Sequence, residues 1–397
     1  MKTALKETPK NWSYLTIDEL KGPQDNSLST GPFGSSIGSR FFLTEGVPVI
    51  RGSNLSTDGI THLVENDFVF VSASKAAEFR RSSVTAGDLV FTCWGTINQI
   101  GLITERATYP RYIISNKQMK LTPAQNRILS LFLFYFFASP ATQRLILAQS
   151  IGSTIPGFNL GQLRAMRVPT PPIAEQGAIV QALSDVDALT ASLDRLIAKK
   201  SDIKQATMQQ LLTGKTRLPG FSGKWEVKQL GDVVQIKKGQ LITSSTLKQG
   251  DIPVIAGGKQ PAYYHDSANR FGRTITISAS GASAGYVAFY NCPIFASDCS
   301  TISESESYSI DFIYYQLQSM QQTIYKAQTG GAQPHIHAKD LIPLKFAVPS
   351  QAEQVAIAAV LSDMDAELSA LEARRYKTRA LKQGMMQELL TGKTRLI

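Results

Sequence analysis

Two tripeptides in this chain, Gly214-Lys215-Thr216 and Gly392-Lys393-Thr394, have the residue types that close a phosphate-binding loop. Such a loop cradles phosphates with backbone N–H groups and a lysine, and it needs a second glycine five residues earlier. Gln209 and Gln387 stand at those positions, and both tripeptides end a helical pattern instead of following a strand. No nucleotide chemistry is implied. His335 and His337 are two apart with no cysteine nearby, which is not zinc-ligand spacing. There is no glycine-rich nucleotide fingerprint after a strand, nor an Asn-Pro-Pro-Tyr segment of the kind that holds a flipped base for amino methylation. The sequence therefore predicts no catalytic residue, no metal and no cofactor.

What remains is binding chemistry. Lys and Arg outnumber Asp and Glu by 41 to 31, a formal charge of +10, with most of the excess in two globular stretches, as suits a protein that meets polyanions. Three cysteines, Cys93, Cys292 and Cys299, are too few for a disulfide framework and suggest a reducing compartment. The start of the chain has no signal-like apolar core. The most apolar run, Leu131 to Phe137, is too short to span a bilayer and reads as a buried helix. A cytoplasmic protein with no membrane association is expected.

These side chains are carried by a duplicated framework. Residues 174–218 realign without a gap on 352–396, an offset of 178, with 24 of 45 positions identical. Apolar residues recur at three- and four-residue steps. In the first copy these are Ile179, Leu183, Val186, Leu193, Ile197 and Leu211; in the second they are Ile357, Leu361, Met364, Leu368, Leu371, Met385 and Leu389. Each copy is read as one long helix offering a seam to the other or to a partner. Pro171 and Pro172 mark one start, and a capping box of Ser350 and Glu353 marks the other. Gly214 and Gly392 mark the ends. Lys200, Lys204, Thr378 and Lys382 fall on seam positions that should be apolar, while Leu196, Ile203 and Leu381 lie off the seam, which leaves apolar surface for a partner.

The expected order is a globular domain over 1–170, a helix over 171–218, a second domain over 219–348 and a second helix over 349–397. Both domains read as α+β. In the first, strands are expected at Val47–Ile50, Phe68–Val71, Leu89–Thr92, Ile100–Thr104 and Tyr112–Ser115. In the second they are expected at Val233–Ile236, Thr274–Ser278 and Tyr286–Phe289, with a helix over Asp311–Lys326. Trp12 and Trp225 head the two domains, and Gly46-Val-Pro-Val-Ile50 is echoed by Asp251-Ile-Pro-Val-Ile255. The helices stayed alike while the domains diverged, a contrast that suits similar scaffolding and two different ligands.

The chain resembles the specificity (S) subunits of type I restriction-modification systems. The resemblance rests on Leu211-Leu-Thr-Gly-Lys-Thr-Arg-Leu218 followed by Pro219-Gly-Phe-Ser-Gly-Lys-Trp225, on Gly31-Pro-Phe-Gly-Ser35, on Pro169-Thr-Pro-Pro-Ile-Ala-Glu-Gln176 and on Pro349-Ser-Gln-Ala-Glu-Gln354. It covers essentially the whole chain. The second domain departs from it, with Ile236-Lys-Lys-Gly-Gln240 in place of the Gly-Pro-Phe-Gly-Ser loop. The resemblance implies two target-recognition domains and two helices packed as an antiparallel coiled coil with pseudo-twofold symmetry. It further implies double-stranded DNA as ligand, read at a bipartite site, two methyltransferase (M) subunits docked on the helices, and restriction (R) subunits recruited through the complex. Helix length would then set the unread gap between half-sites.

On that reading, phosphate contacts fall to Lys21, Arg40, Arg51, Lys75, Arg80 and Arg81 in the first domain, and to Lys237, Lys238, Lys259, Arg270 and Arg273 in the second. Base reading falls to loop residues with amide, hydroxyl or guanidinium groups: Ser35, Arg51, Asn54, Asn98 and Gln99, then Gln240, Gln260, Ser280 and His335. Phe33 belongs to the same candidate surface, and Trp94, Tyr263 and Tyr264 could stack on bases. The rival reading is an adaptor whose two domains bind proteins or glycans from a helical scaffold. Steeply salt-dependent retardation of mixed duplexes would separate the two.

Overall fold

In the computed structural model the described residues are 9–34, 36–152, 155–243, 246–330 and 333–396. The chain divides into two compact units: Met1–Leu193 with Arg374–Ile397, and Asp194–Ala373. The cuts fall inside the two long helices, Ile173–Leu211 and Gln351–Leu389, not at their starts. Each unit therefore combines one domain with the first half of one helix and the second half of the other.

Among the described residues unit 1 holds ten strands: β1 (Ser13–Thr16), β2 (Leu28–Thr30), β3 (Val47–Ile50), β4 (Val69–Val71), β5 (Ser83–Val84), β6 (Leu89–Thr92), β7 (Ile100–Leu102), β8 (Tyr112–Ile114), β9 (Gln118–Leu121) and β10 (Arg167–Thr170). β1 and β10 pair antiparallel, Ser13 opposite Thr170, which fastens the start of the domain to the entry of its long helix. The other strands form two four-stranded sheets, ordered β2-β9-β6-β7 and β4-β3-β8-β5. The expected apolar run is the buried helix Ser130–Ala138, which packs Phe132, Leu133 and Phe137 against Phe91, Met119 and Leu121. Among the described residues no single helix is long and apolar enough to cross a membrane.

Unit 2 holds nine strands among the described residues: β11 (Glu226–Gln229), β12 (Lys237–Lys238), β13 (Ile252–Ile255), β14 (Tyr263–His265), β15 (Arg273–Ser278), β16 (Val287–Asn291), β17 (Phe295–Ala296), β18 (Cys299–Ser303) and β19 (Lys345–Val348). β11 pairs with β19 as β1 does with β10. The order β12-β18-β15-β16 repeats β2-β9-β6-β7, and β14-β13-β17 repeats β4-β3-β8. Two local expectations fail. Val233–Ile236 is not a strand: a helical turn at Leu230–Val233, held by Asp232 accepting from the Gln229 N–H, occupies its start, and pairing begins only at Lys237. The helix expected over Asp311–Lys326 is two helices, Ile310–Ser319 and Gln321–Lys326, broken at Met320.

Within each unit the two helix halves run antiparallel. In unit 1, Glu175 meets Arg395 and Asp187 meets Lys382. In unit 2, Lys200 meets Glu367, Lys204 meets Asp365 and Arg217 meets Glu353. These pairs account for the seam positions that lacked apolar residues. The Lys382 ammonium is buried, 2.6 Å from Asp187 Oδ1 and 2.6 Å from the Gly59 carbonyl, while Thr378 Oγ1 donates to the Arg374 carbonyl. The seam residues Leu183, Leu193, Leu211, Leu361 and Leu389 are buried, and Val186, Ile197, Met364, Leu368, Leu371 and Met385 are half-buried. Leu196, Ile203 and Leu381 are exposed, off the seam.

The repeated Thr-Gly-Lys-Thr-Arg-Leu is a helix stop joined to a clamp. Gly392 and Gly214 have φ of +71° and +70°. A Cβ at either would come within 3.3 Å of Trp12 or Trp225 respectively. Arg395 then turns back to Glu175, which also accepts from Trp12 Nε1 at 2.9 Å. In unit 2, Arg217 and Trp225 converge on Glu353 in the same way. The Ser350–Glu353 capping box is thus only half formed. Ser350 Oγ accepts from the Glu353 N–H, but the Glu353 carboxylate goes to Arg217 and Trp225.

Candidate nucleic-acid interface

Because neighbouring strands in the β2-β9-β6-β7 sheet are antiparallel, the end of β2, the start of β9, the end of β6 and the start of β7 lie at one edge. Four connections of unit 1 meet there: Gly31–Gly34, Ser115–Lys117, Cys93–Gln99 and the loop closed by Ile151 pairing with Gly157. The first is drawn tight by Gly31, whose N–H donates to the Gln118 carbonyl; a Cβ at Gly31 would lie 1.8 Å from the Ser115 carbonyl. Phe33, two residues on, is 83% exposed. Trp94 lies over Gly157, where a Cβ would be 2.5 Å from the indole, and the ring is 45% exposed.

Unit 2 builds the same edge with different side chains. The Gly239 N–H donates to the Cys299 carbonyl, and a Cβ there would lie 2.0 Å from the Ser297 carbonyl. Two residues on, Leu241 is also 83% exposed. The bridge between Trp94 and Gly157 becomes one between Ser280 and His335, with the bulk moved from one partner to the other. His335 stacks in parallel on His337, ring centroids 6.2 Å apart. Cys93 N–H donates to the Lys117 carbonyl and Ala279 N–H to the Asp298 carbonyl, which makes Lys117 and Asp298 counterparts.

The expected site residues sort accordingly. In unit 1, Phe33, Arg51, Asn98 and Gln99 lie on or beside this edge; in unit 2, Lys238, Gln240, Lys259, Gln260, Ser280 and His335 do. Gln99 is engaged internally, accepting from Thr92 Oγ1 at 3.2 Å. Asn54 is fully buried. It accepts from the Arg51 N–H and donates to the Val64 and Asn66 carbonyls, which spends its amide on holding a loop. Lys21 is at the opposite end of the sheet, bridged to Pro123 and paired with Asp18. Lys75 packs over Phe41 and Phe79 and pairs with Glu78. Arg270 is tied to Thr301 Oγ1 and the Lys238 carbonyl. Arg273 is held by Asp311 at the far end of β15. Arg40, Arg80, Arg81, Lys237, Tyr263 and Tyr264 are exposed, and Arg81 shares a cleft with Phe33 and Arg164. Ser35 lies outside the described residues. Among the described residues no cluster of His, Cys, Asp and Glu could hold a metal ion. Lys117 and Asp298 were not foreseen; only alignment of the two sheets through their backbone hydrogen bonds makes them counterparts.

The sequence profile described as "Type I restriction modification DNA specificity domain" matches residues 44–204 and, a second time, residues 222–378. The chain belongs to this family. It is the DNA specificity subunit of a type I restriction-modification system, the non-catalytic component that recognises the target site within the complex. The MjaX specificity subunit of Methanocaldococcus jannaschii is 23% identical over 423 residues, covering 100% of this chain and 96% of that one. The solved S subunit of a type I system from M. genitalium superposes with a TM-score of 0.63 at 17% identity, covering 97% of this chain and 98% of that one. A chain solved in a study of complex assembly and conformational transition of the type I system superposes at 0.60, with 19% identity, 98% of this chain and 100% of that one covered. The α+β fold with two domains, each ending in a long helix, is the one these structures share.

Proposed function

We propose that the specificity subunit reads a bipartite duplex site, one half-site per unit, through the equivalent sheet edges that carry Phe33 and Leu241. The observation that carries this reading is that one backbone framework, down to Gly31 and Gly239, presents different side chains in the two units. Arg80, Arg81, Lys237, Lys238 and Lys259 would neutralise phosphates and set position, while edge residues select bases. The exposed faces of the helices, with Leu196, Ile203 and Leu381, would receive two methyltransferase subunits, and restriction subunits would join through that complex. The length of helix between the units would set the unread gap.

The test is selection from a randomised duplex pool by the complete complex, with and without a heptad inserted in each helix. A heptad adds about 10 Å, or roughly three base pairs at ~3.4 Å each. The inserted complex should select the same half-sites with a longer gap. An unchanged gap removes the length rule. A single continuous motif would overturn the two-unit reading.

A further inference from the structure

The counterparts Lys117 and Asp298 carry opposite charge at one place in the framework. Each follows the tight glycine contact, its backbone carbonyl accepts from the N–H of the residue after the neighbouring strand, and each stands next to an isolated bridge, Trp94 with Gly157 in unit 1 and Ser280 with His335 in unit 2. Lys117 is exposed, its carbonyl accepting from the N–H of Cys93, the residue before Trp94; its three N–H donors can only give hydrogen bonds. Asp298 is half-buried, and the Ser280 hydroxyl donates to its Oδ2, which orients the carboxylate and leaves further lone pairs to accept. Gly257 keeps the space over the carboxylate open: a Cβ there would lie 3.3 Å from Oδ2 and 2.6 Å from the Ser280 carbonyl.

We propose that this position determines the specificity of each unit: Lys117 selects the acceptor edge of a guanine in one half-site, and Asp298 selects the amino group of a cytosine in the other. The assignment rests on the sheet-edge reading and follows the complementarity of base edges in the major groove, where guanine O6 and N7 accept and cytosine N4 donates. Ser280 is a positioning residue, acting through Asp298.

The test is the same selection from a randomised pool by the complete complex, made with Lys117→Gln, Asp298→Asn and Ser280→Ala separately. Asp298→Asn is nearly isosteric; its amide should turn the preference at one base pair of one half-site from cytosine toward adenine, a swing of about 5- to 150-fold. Lys117→Gln should relax a guanine in the other half-site alone, and Ser280→Ala should weaken the same cytosine preference by less. Uniform weakening over all sequences, both charge variants acting on one half-site, or an unmoved motif would each overturn the assignment. If the unaltered complex selects no bipartite motif, it is the two-unit reading that fails.

Discussion

Arg217 grips Glu353 with two prongs, Nε 2.5 Å from Oε1 and Nη2 2.6 Å from Oε2, across 136 residues of sequence. The residue that follows one helix thereby fixes the start of the other, and Arg395 does the same to Glu175 in unit 1. Glu353 is only 1% exposed, so removing its partner strands a buried carboxylate. Arg217→Met should destabilise unit 2, because the Glu353 carboxylate is left buried without its counter-charge. Adding Glu353→Gln should cost little more. Denaturant midpoints of the single and double variants check this, and strict additivity would contradict it.

The unit 1 clamp should be acid-sensitive. Burial alone raises the Glu175 carboxyl, but hydrogen bonds from Arg395 and Trp12, with the guanidinium charge, outweigh it and hold the group below its ordinary 4.5. A depressed folded value means the contribution is complete above the unfolded value and disappears as pH falls through the folded one. Unfolding free energy followed against pH should therefore fall less steeply below about 4.5 in Glu175→Gln than in the unaltered chain. Parallel curves would argue against the clamp.

Lys382 and Lys204 occupy the same position in the two helix copies, yet their surroundings differ. Lys382 is 5% exposed, accepted by Asp187 and the Gly59 carbonyl and placed over the Tyr135 ring; burial lowers its pKa while Asp187 opposes that. Lys204 pairs with Asp365 near Tyr315 at 15% exposure. Alanine at 382 should cost about 3 kcal/mol and alanine at 204 about 1. Thermal unfolding of the two variants gives the comparison, and equal losses would contradict it.

Arg80 and Arg81 are exposed beside the unit 1 edge. Changing both to alanine should weaken the complex on every duplex and reduce the slope of log affinity against log salt by about 1 for each phosphate no longer neutralised. Titrations at several salt concentrations on cognate and scrambled duplexes decide the matter. A weakening confined to one sequence would make these arginines base readers.

Much of the scaffold was legible because periodicity and duplication report it directly. The two helices, their glycine stops at 214 and 392, the buried run around Phe134 and strands such as Val47–Ile50 follow from local pattern. The clamps were not legible: Glu175 and Glu353 look like helix-start acids, and only the fold brings Arg395 and Arg217 to them. The same limit governed the candidate surface. Asn54 has a base-reading side chain but sits in the interior, and Lys21 and Arg273 lie at the wrong ends of their sheets. Lys117 and Asp298 escaped notice because one unit has an extra residue between the matching serine and the strand, so a gapless comparison does not pair them.

The most direct measurement places a photocrosslinking side chain at position 33 or at position 241 in the complete complex, bound to its selected duplex, and maps the crosslinked nucleotides. Position 33 should mark one half-site and position 241 the other, with the gap unmarked. Crosslinks from both to a single half-site, or from neither to DNA, would contradict the account.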